Sequence, residues 1–207
     1  MTALDRQAHW RQVYTDKDEQ AVSWFETVPA VSLELIHATG VEPAAAIIDI
    51  GGGASRLVDA LIDEGYRDLT VLDISEESLE KAKARLGARG ASVNWLATDI
   101  TTWRPERLYE VWHDRAALHF LTDADEQAAY AERVKRAVRP GGHVIIATFA
   151  PEGPERCSGL PVVHHDAASL SVLLGPAFAL METRRHDHTT PAGAVQRFQF
   201  SRFRRII

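Results

Sequence analysis

Three carboxylates stand near the ends of three apolar runs: Asp49 in "AIIDIGGGASRL", Asp73 in "LTVLDIS" and Asp99 in "NWLATDI". An acid at the carboxyl end of a strand can accept hydrogen bonds from ribose hydroxyls or from a base amino group. Gly51, Gly52 and Gly53 follow the first acid after a single isoleucine. Without a Cβ they let a ligand lie against main chain, and a helix expected from about Ala54 would aim free N–H groups at the same spot. Asp73 lies 20 residues beyond Gly53, the spacing at which an acid reads a ribose. The dinucleotide fingerprint G-x-G-x-x-G is half met, because Arg56 stands where close helix–strand packing wants glycine or alanine. A diphosphate is therefore disfavoured. Asp99 adds an acceptor for an adenine amino group. The set suits a nucleoside whose ribose and base both meet carboxylates and whose remainder is not strongly anionic.

Such acids need elements to hold them. Helices are expected over 4–14 and 29–39, a strand over 45–50, a helix over 54–64, a strand over 68–74 and a helix over 75–87. Ser75 is the expected N-cap of that last helix. A strand over 92–100, a strand turning into a short helix over 108–120, a helix stopping at Pro140-Gly141-Gly142 and a strand over 143–149 continue the alternation. Strand–helix alternation of this kind means an α/β fold, a doubly wound, mostly parallel sheet with helices on both faces. Beyond Phe149 the pattern changes to a Pro/Gly-rich loop, a helix over 166–174, and strands over 177–185 and 195–204 that read as a hairpin about Pro191-Ala192-Gly193.

In order and spacing these motifs resemble the class I, Rossmann-like, seven-stranded S-adenosylmethionine-dependent methyltransferases, from about Ile47 through Arg204. "IIDIGGGASRL" is similar to the family's first motif, D/E-x-G-x-G-x. "VLDIS" is similar to the second-strand motif, which implies Asp73 on the ribose and Ile74 against adenine. "ATDI" is similar to the adenine-side motif, with Asp99 and Ile100. "AVRPGGHVIIATF" resembles the segment before the fifth strand. "HWRQVYTDKDEQAVSWFE" is similar to the W-x-x-x-Y…W-F/Y segment of a subgroup that includes small-molecule and protein-lysine methyltransferases, where it closes over the cofactor; Trp10, Tyr14 and Trp24 take the matching places. "HDRAAL" resembles that subgroup's D-K-G-x-L, with Arg115 and Ala116 for lysine and glycine.

The resemblance implies one methyltransferase domain over 1–207: a helical cap over 1–40, a cofactor-binding half over 44–150, and a substrate-side lid loop and hairpin over 151–207. S-adenosyl-L-methionine is the implied cofactor, held by Tyr14, Trp24, Asp49, Gly51, Gly52, Gly53, Asp73, Ile74, Asp99, Ile100 and Asp114. In-line transfer from a sulfonium asks the protein for positioning, a dry pocket and sometimes a base. Asp114, His113 and His119 are the candidates near the reacting centre, since imidazole titrates near neutrality; Asp114 reads equally as a helix N-cap. Trp10, Arg115 and Phe149 are expected on the acceptor side. No metal is expected: methyl transfer of this kind requires none, although His164-His165-Asp166 and His186-Asp187-His188 invite the thought, with His186 and His188 sharing one strand face.

Composition bounds the partners. The chain has 207 residues, 45% hydrophobic and 25% charged, with formal net charge −6. That balance argues against non-specific nucleic-acid binding, which rests on clustered Lys and Arg. One cysteine, Cys157, leaves no intrachain disulfide and fits a reducing, cytoplasmic setting. No apolar run approaches the ~20 residues that span a bilayer. A small-molecule acceptor is the expectation, since the compact chain carries no added recognition domain. A protein-lysine acceptor and a non-catalytic cofactor-binding protein are the rivals, and a nicotinamide dehydrogenase is disfavoured by Arg56 and the terminal hairpin.

Overall fold

The computed structural model describes residues 3–207. Helix α1 (Ala3–Asp16) and helix α2 (Ala30–His37) precede strand β1 (Ala46–Ile50), helix α3 (Leu57–Asp63), strand β2 (Asp68–Asp73), helix α4 (Glu76–Leu86) and strand β3 (Asn94–Ala97). Strand β4 (Tyr109–Arg115), helix α5 (Ala124–Ala137) and strand β5 (Val138–Phe149) follow. Short strands β6 (Arg156–Cys157) and β7 (Leu160–Pro161), helix α6 (Ala167–Leu174) and long strands β8 (Phe178–Thr189) and β9 (Val195–Arg205) complete the chain.

The main sheet has seven strands in the order β3-β2-β1-β4-β5-β9-β8. β1 to β5 pair in parallel, and β9 runs antiparallel to both β5 and β8. Apolar residues of the central strands alternate between two cores. Ile47, Val71, Val111 and Ile145 pack with α2, α3 and α4 on one face; Ile48, Leu72, Trp112 and Ile146 pack with α5 and α6 on the other. Burial of every β1 residue is why that strand shows no polar alternation in sequence.

Several boundaries differ from expectation for local reasons. α3 begins at Leu57, not near Ala54, because Ser55 N–H donates to Gly52 O (2.7 Å) and Ser55 Oγ accepts from Leu57 N–H (3.1 Å), making a turn of residues 52–56. α5 ends at Ala137, since Val138 is already extended and pairs with Tyr109. β3 is confined to four residues after a 3-10 turn over Gly87–Ser92. The loop expected after Phe149 contains the separate β6–β7 ladder. Ser75 caps α4 as expected, accepting from Ser78 N–H, and the terminal hairpin turns where Gly193 takes φ +84°.

Candidate functional site

Strand order reverses between β1 and β4, and there the carboxyl ends of β1, β2, β3 and β4 open into a cavity of about 830 Å³, its mouth included. Its floor is Ile50 and Gly51 after β1, Asp73 and Ile74 after β2, Thr98 to Ile100 after β3, and Arg115 to Ala117 after β4. Such a crevice is where open α/β sheets take ligands.

The glycines are required by close approach as much as by backbone shape. Gly51 has φ +65°, and a Cβ there would lie 2.7 Å from the Ala117 Cβ. At Gly52 a Cβ would stand 2.5 Å from Asp49 Oδ2; at Gly53, 2.8 Å from Asp73 Oδ2 and 3.1 Å from Tyr14 Oη. The loop thus folds down onto two strand-end carboxylates, and Gly52 and Gly53 support the cavity without lining it.

The carboxylates differ in what they do. Asp49 is buried, and His113 Nδ1 donates to its Oδ1 (2.7 Å) while His113 Nε2 meets Ser32 Oγ of α2 (2.9 Å). Asp73 Oδ1 accepts from Ser75 N–H (2.8 Å). Burial pushes its carboxyl up to about 7, against the lowering hydrogen bonds of Ser75 and Ser78 and with the help of nearby Asp49. Asp99 Oδ1 accepts from Thr101 N–H and Oγ1, both 2.7 Å, and its Oδ2 takes Arg6 (3.0 Å). These bonds outweigh burial and hold Asp99 below the ordinary carboxylate value.

Period-two alternation explains where the β4 candidates go. His113 points into the α2 layer with Asp49. Asp114 points into the opposite layer, where its carboxylate accepts from Ala117 N–H (2.8 Å), Leu118 N–H (3.1 Å) and Tyr130 O–H (2.7 Å). It caps the turn after β4 from full burial, which raises its carboxyl to about 6 despite Tyr130 and the two N–H groups. His119 is fully buried between Phe120 and Phe149, with neither ring nitrogen bonded; burial pushes it down to about 3 and keeps it neutral. Neither these three residues nor Phe149 faces the cavity, whereas Trp10, Tyr14, Trp24, Gly51, Asp73, Ile74, Asp99, Ile100 and Arg115 do.

The roof is built from the N-terminal segment. Arg6, Trp10 and Tyr14 recur at intervals of four, one face of α1, and all three line the cavity. Trp10 packs edge-on against Trp24 (5.6 Å between centroids) and Phe120 (4.9 Å). Arg6 clamps the roof down, donating also to Glu126 of α5 (2.6 Å). The loop from α1 to α2 is tied by Glu19, which pairs with Arg56 (2.5 Å) and Arg85 (2.6 Å). Arg115 donates to Trp24 O (2.9 Å) and pairs with Glu26 (3.3 Å). Sequence reasoning missed Arg6, Glu19 and Glu26. Only Arg6 carried a signal, its four-residue step to Trp10 and Tyr14. Cys157, Gln196 and Phe198 join the wall from β6 and β9. The thiol is buried and pushed up to about 11, hence inert.

A family model described as a methyltransferase domain matches residues 47–142. The mouse eEF1A lysine and N-terminal methyltransferase is 28% identical over 138 residues, covering 66% of this chain and 19% of that protein, so the chain spans about a fifth of that relative's length. The bovine N-terminal Xaa-Pro-Lys N-methyltransferase 1 is 31% identical over 138 residues, 61% of either chain. Among solved structures, the Burkholderia thailandensis 1,6-didemethyltoxoflavin-N1-methyltransferase, bound to its substrate and S-adenosylhomocysteine, superposes with a TM-score of 0.71 at 20% identity, over 100% of this chain and 92% of that one. Residues 47–142 thus match a methyltransferase-domain model, and the seven strands stand in the order of the class I, Rossmann-like methyltransferase fold.

Proposed function

We propose that this protein transfers a methyl group from S-adenosylmethionine to a small-molecule acceptor held under the α1 roof. The observation that carries the acceptor class is that roof: Trp10, Tyr14, Trp24 and Phe120 close over the strand ends, with Arg6 bound to both Asp99 and Glu126. A cavity so covered suits a compact acceptor better than a polypeptide. In this reading residues 1–40 cap the site, 44–150 hold the cofactor and 151–207 complete the acceptor side, in a reducing compartment suited to the free thiol of Cys157.

The donor set fits an adenosyl sulfonium. Main chain at Gly51 is bare where any side chain would collide, and Asp73 and Asp99 offer acceptors in a wall that Ile74 and Ile100 also line. The bound cofactor supplies an electrophilic methyl on a sulfonium. Asp73 accepts from the ribose hydroxyls, Asp99 fixes the base side, and the aromatic roof excludes water. The titratable groups in the described wall are Arg6, Tyr14, Asp73, Asp99, Arg115 and Cys157. Burial, aided by nearby Asp73, raises the Tyr14 phenol far above its usual value, and neither it nor the thiol is a base at neutral pH. The acceptor therefore arrives with its lone pair free, as an amine, a thiolate or an ionised hydroxyl, and the chain contributes alignment and desolvation.

The rival acceptor is a protein amine, favoured by the names of the mouse and bovine relatives. Calorimetric titration with S-adenosylmethionine tests the cofactor reading, and no binding overturns it. Labelled-methyl transfer into a lysate, split into protein and small-molecule fractions, tests the acceptor. Label in the small-molecule fraction supports the proposal, label in protein assigns the acceptor to the rival, and binding without any labelled product makes the chain a binding protein.

A further inference from the structure

We infer that Glu26, His186 and His188 form a binding site for a divalent transition-metal ion, zinc in the first instance, beside the Arg115 end of the cavity. His186 and His188 project from one face of β8, and Glu26 reaches them from the loop between α1 and α2. Glu26 Oε1 lies 3.6 Å from His186 Nε2 and 3.4 Å from His188 Nδ1, and the three ligand atoms all lie within 4.8 Å of one another. Ligands about 2.0–2.2 Å from one tetrahedral ion stand roughly 3.3–3.6 Å apart, so the two spacings from Glu26 already match.

The outer partners point the same way. Ser23 O lies 2.8 Å from His188 Nε2; a carbonyl only accepts, so that nitrogen carries the hydrogen and Nδ1 is the one turned to Glu26. The 3.4 Å between Nδ1 and Glu26 Oε1 is bridged either by a proton on that nitrogen or by a metal ion held between the two. A backbone carbonyl fixing the far nitrogen is the usual second partner of a metal-binding histidine, and ligating carboxylates are themselves hydrogen-bonded. Here the Arg115 guanidinium takes Glu26 Oε2 (3.3 Å) and leaves Oε1 for the histidines. Two imidazoles and one carboxylate are a donor set for zinc with an open position. His186 is a third exposed on its side chain, so solvent or an acceptor can reach that position. The site adjoins the cavity through Arg115 and through Gln196, the register partner of His188.

Three other members of the histidine-rich acid segments have partners of their own. Asp187 leans toward Arg197 (3.6 Å); His164 Nε2 meets Pro154 O (2.8 Å), and Asp166 caps α6.

The test needs neither cofactor nor acceptor. The purified full-length chain is titrated at pH 7.5 with cobalt(II), read by its visible d–d absorption, and with zinc by calorimetry. One equivalent of metal with a four- or five-coordinate cobalt spectrum is expected. Loss of an outer partner weakens such sites about 10–100-fold, so His186→Ala and Glu26→Gln, the loss of a ligand itself, should weaken binding at least about a hundredfold. Both variants are checked for native melting, and His164→Ala should bind as the parent does. Absence of stoichiometric binding overturns the proposal, which leaves the cluster to protons alone. Equal binding by the two ligand variants, or loss in His164→Ala, overturns it as well.

Discussion

The floor and the roof of the cavity are held by different forces. The floor is main chain and buried carboxylate: β1, β2 and β4 are paired on both sides, Gly52 and Gly53 press onto Asp49 and Asp73, and His113 and Tyr130 lock acids from the two opposite layers. The roof is one helix and one loop joined to the floor by Arg6–Asp99, Arg6–Glu126, Glu19–Arg56, Glu19–Arg85 and Arg115–Glu26. Packing of the first kind is lost only with the fold, whereas side-chain ion pairs can open one by one. On the proposed function the floor selects the cofactor, while the roof limits the size of the acceptor and sets how long ligands stay.

Breaking the floor should have the largest effect. Asp73→Ala removes the buried acceptor proposed for two ribose hydroxyls; at about 1.5–3 kcal/mol for each hydrogen bond to a charged group, affinity for S-adenosylmethionine should fall at least about a hundredfold by calorimetry. Gly52→Ala sets a methyl against Asp49, which His113 holds in place, and overpacking of that kind destabilises by about 1–3 kcal/mol. A melting curve should fall by about 2–4 °C for each kcal/mol in a chain of this size.

Protons sharpen the contrast next. Asp73 is raised to about 7 in the unliganded protein, and ribose hydroxyls favour its ionised form. Below that value a proton must leave before the ligand is held. Affinity should therefore rise about tenfold per pH unit up to about 7 and level off above it, while Asp73→Asn flattens the profile. The same shift, from 3.8 to about 7, makes the native state hold this proton more tightly than the unfolded chain, so its contribution to stability declines as pH rises between those values.

Loosening the roof should act on time rather than on fit. Arg6→Ala frees α1 from Asp99 and Glu126; at about 1.5–3 kcal/mol for even one of these charge-assisted bonds, ligand release should be at least about tenfold faster in stopped flow, with the native fold kept. The smallest effect belongs to His119→Phe. The imidazole is neutral, unbonded and away from the cavity, so methyl transfer should stay within about twofold of the parent. A collapse of activity there would reinstate His119 as a base.

How much of this was legible follows from the range of each interaction. Alternation of strand and helix, the Ser75 cap and the glycines after β1 are local patterns, and the sheet and its crevice follow from them. Asp73 and Asp99 were visible because strand ends converge at the order reversal. The fates of His113 and Asp114 were not. Adjacent positions on a buried strand face opposite layers, and which of the two meets a ligand depends on where α2 and α5 pack. Glu19 and Glu26 were hidden for the same reason, since loop acids among charged neighbours reveal nothing until Arg85, Arg115 and β8 are brought beside them. Among the described residues no helix is long and apolar enough to cross a membrane, in keeping with the absence of a long apolar run.

The Arg6 clamp joins positions 93 and 120 residues apart. Contacts of such span form late, because the intervening chain must first be ordered. Although α1 comes early in the chain, it can seat only after β3 and α5 exist, and until it does the crevice stands open. On the proposed function, a ligand present during refolding would therefore meet the strand ends before the door has been hung.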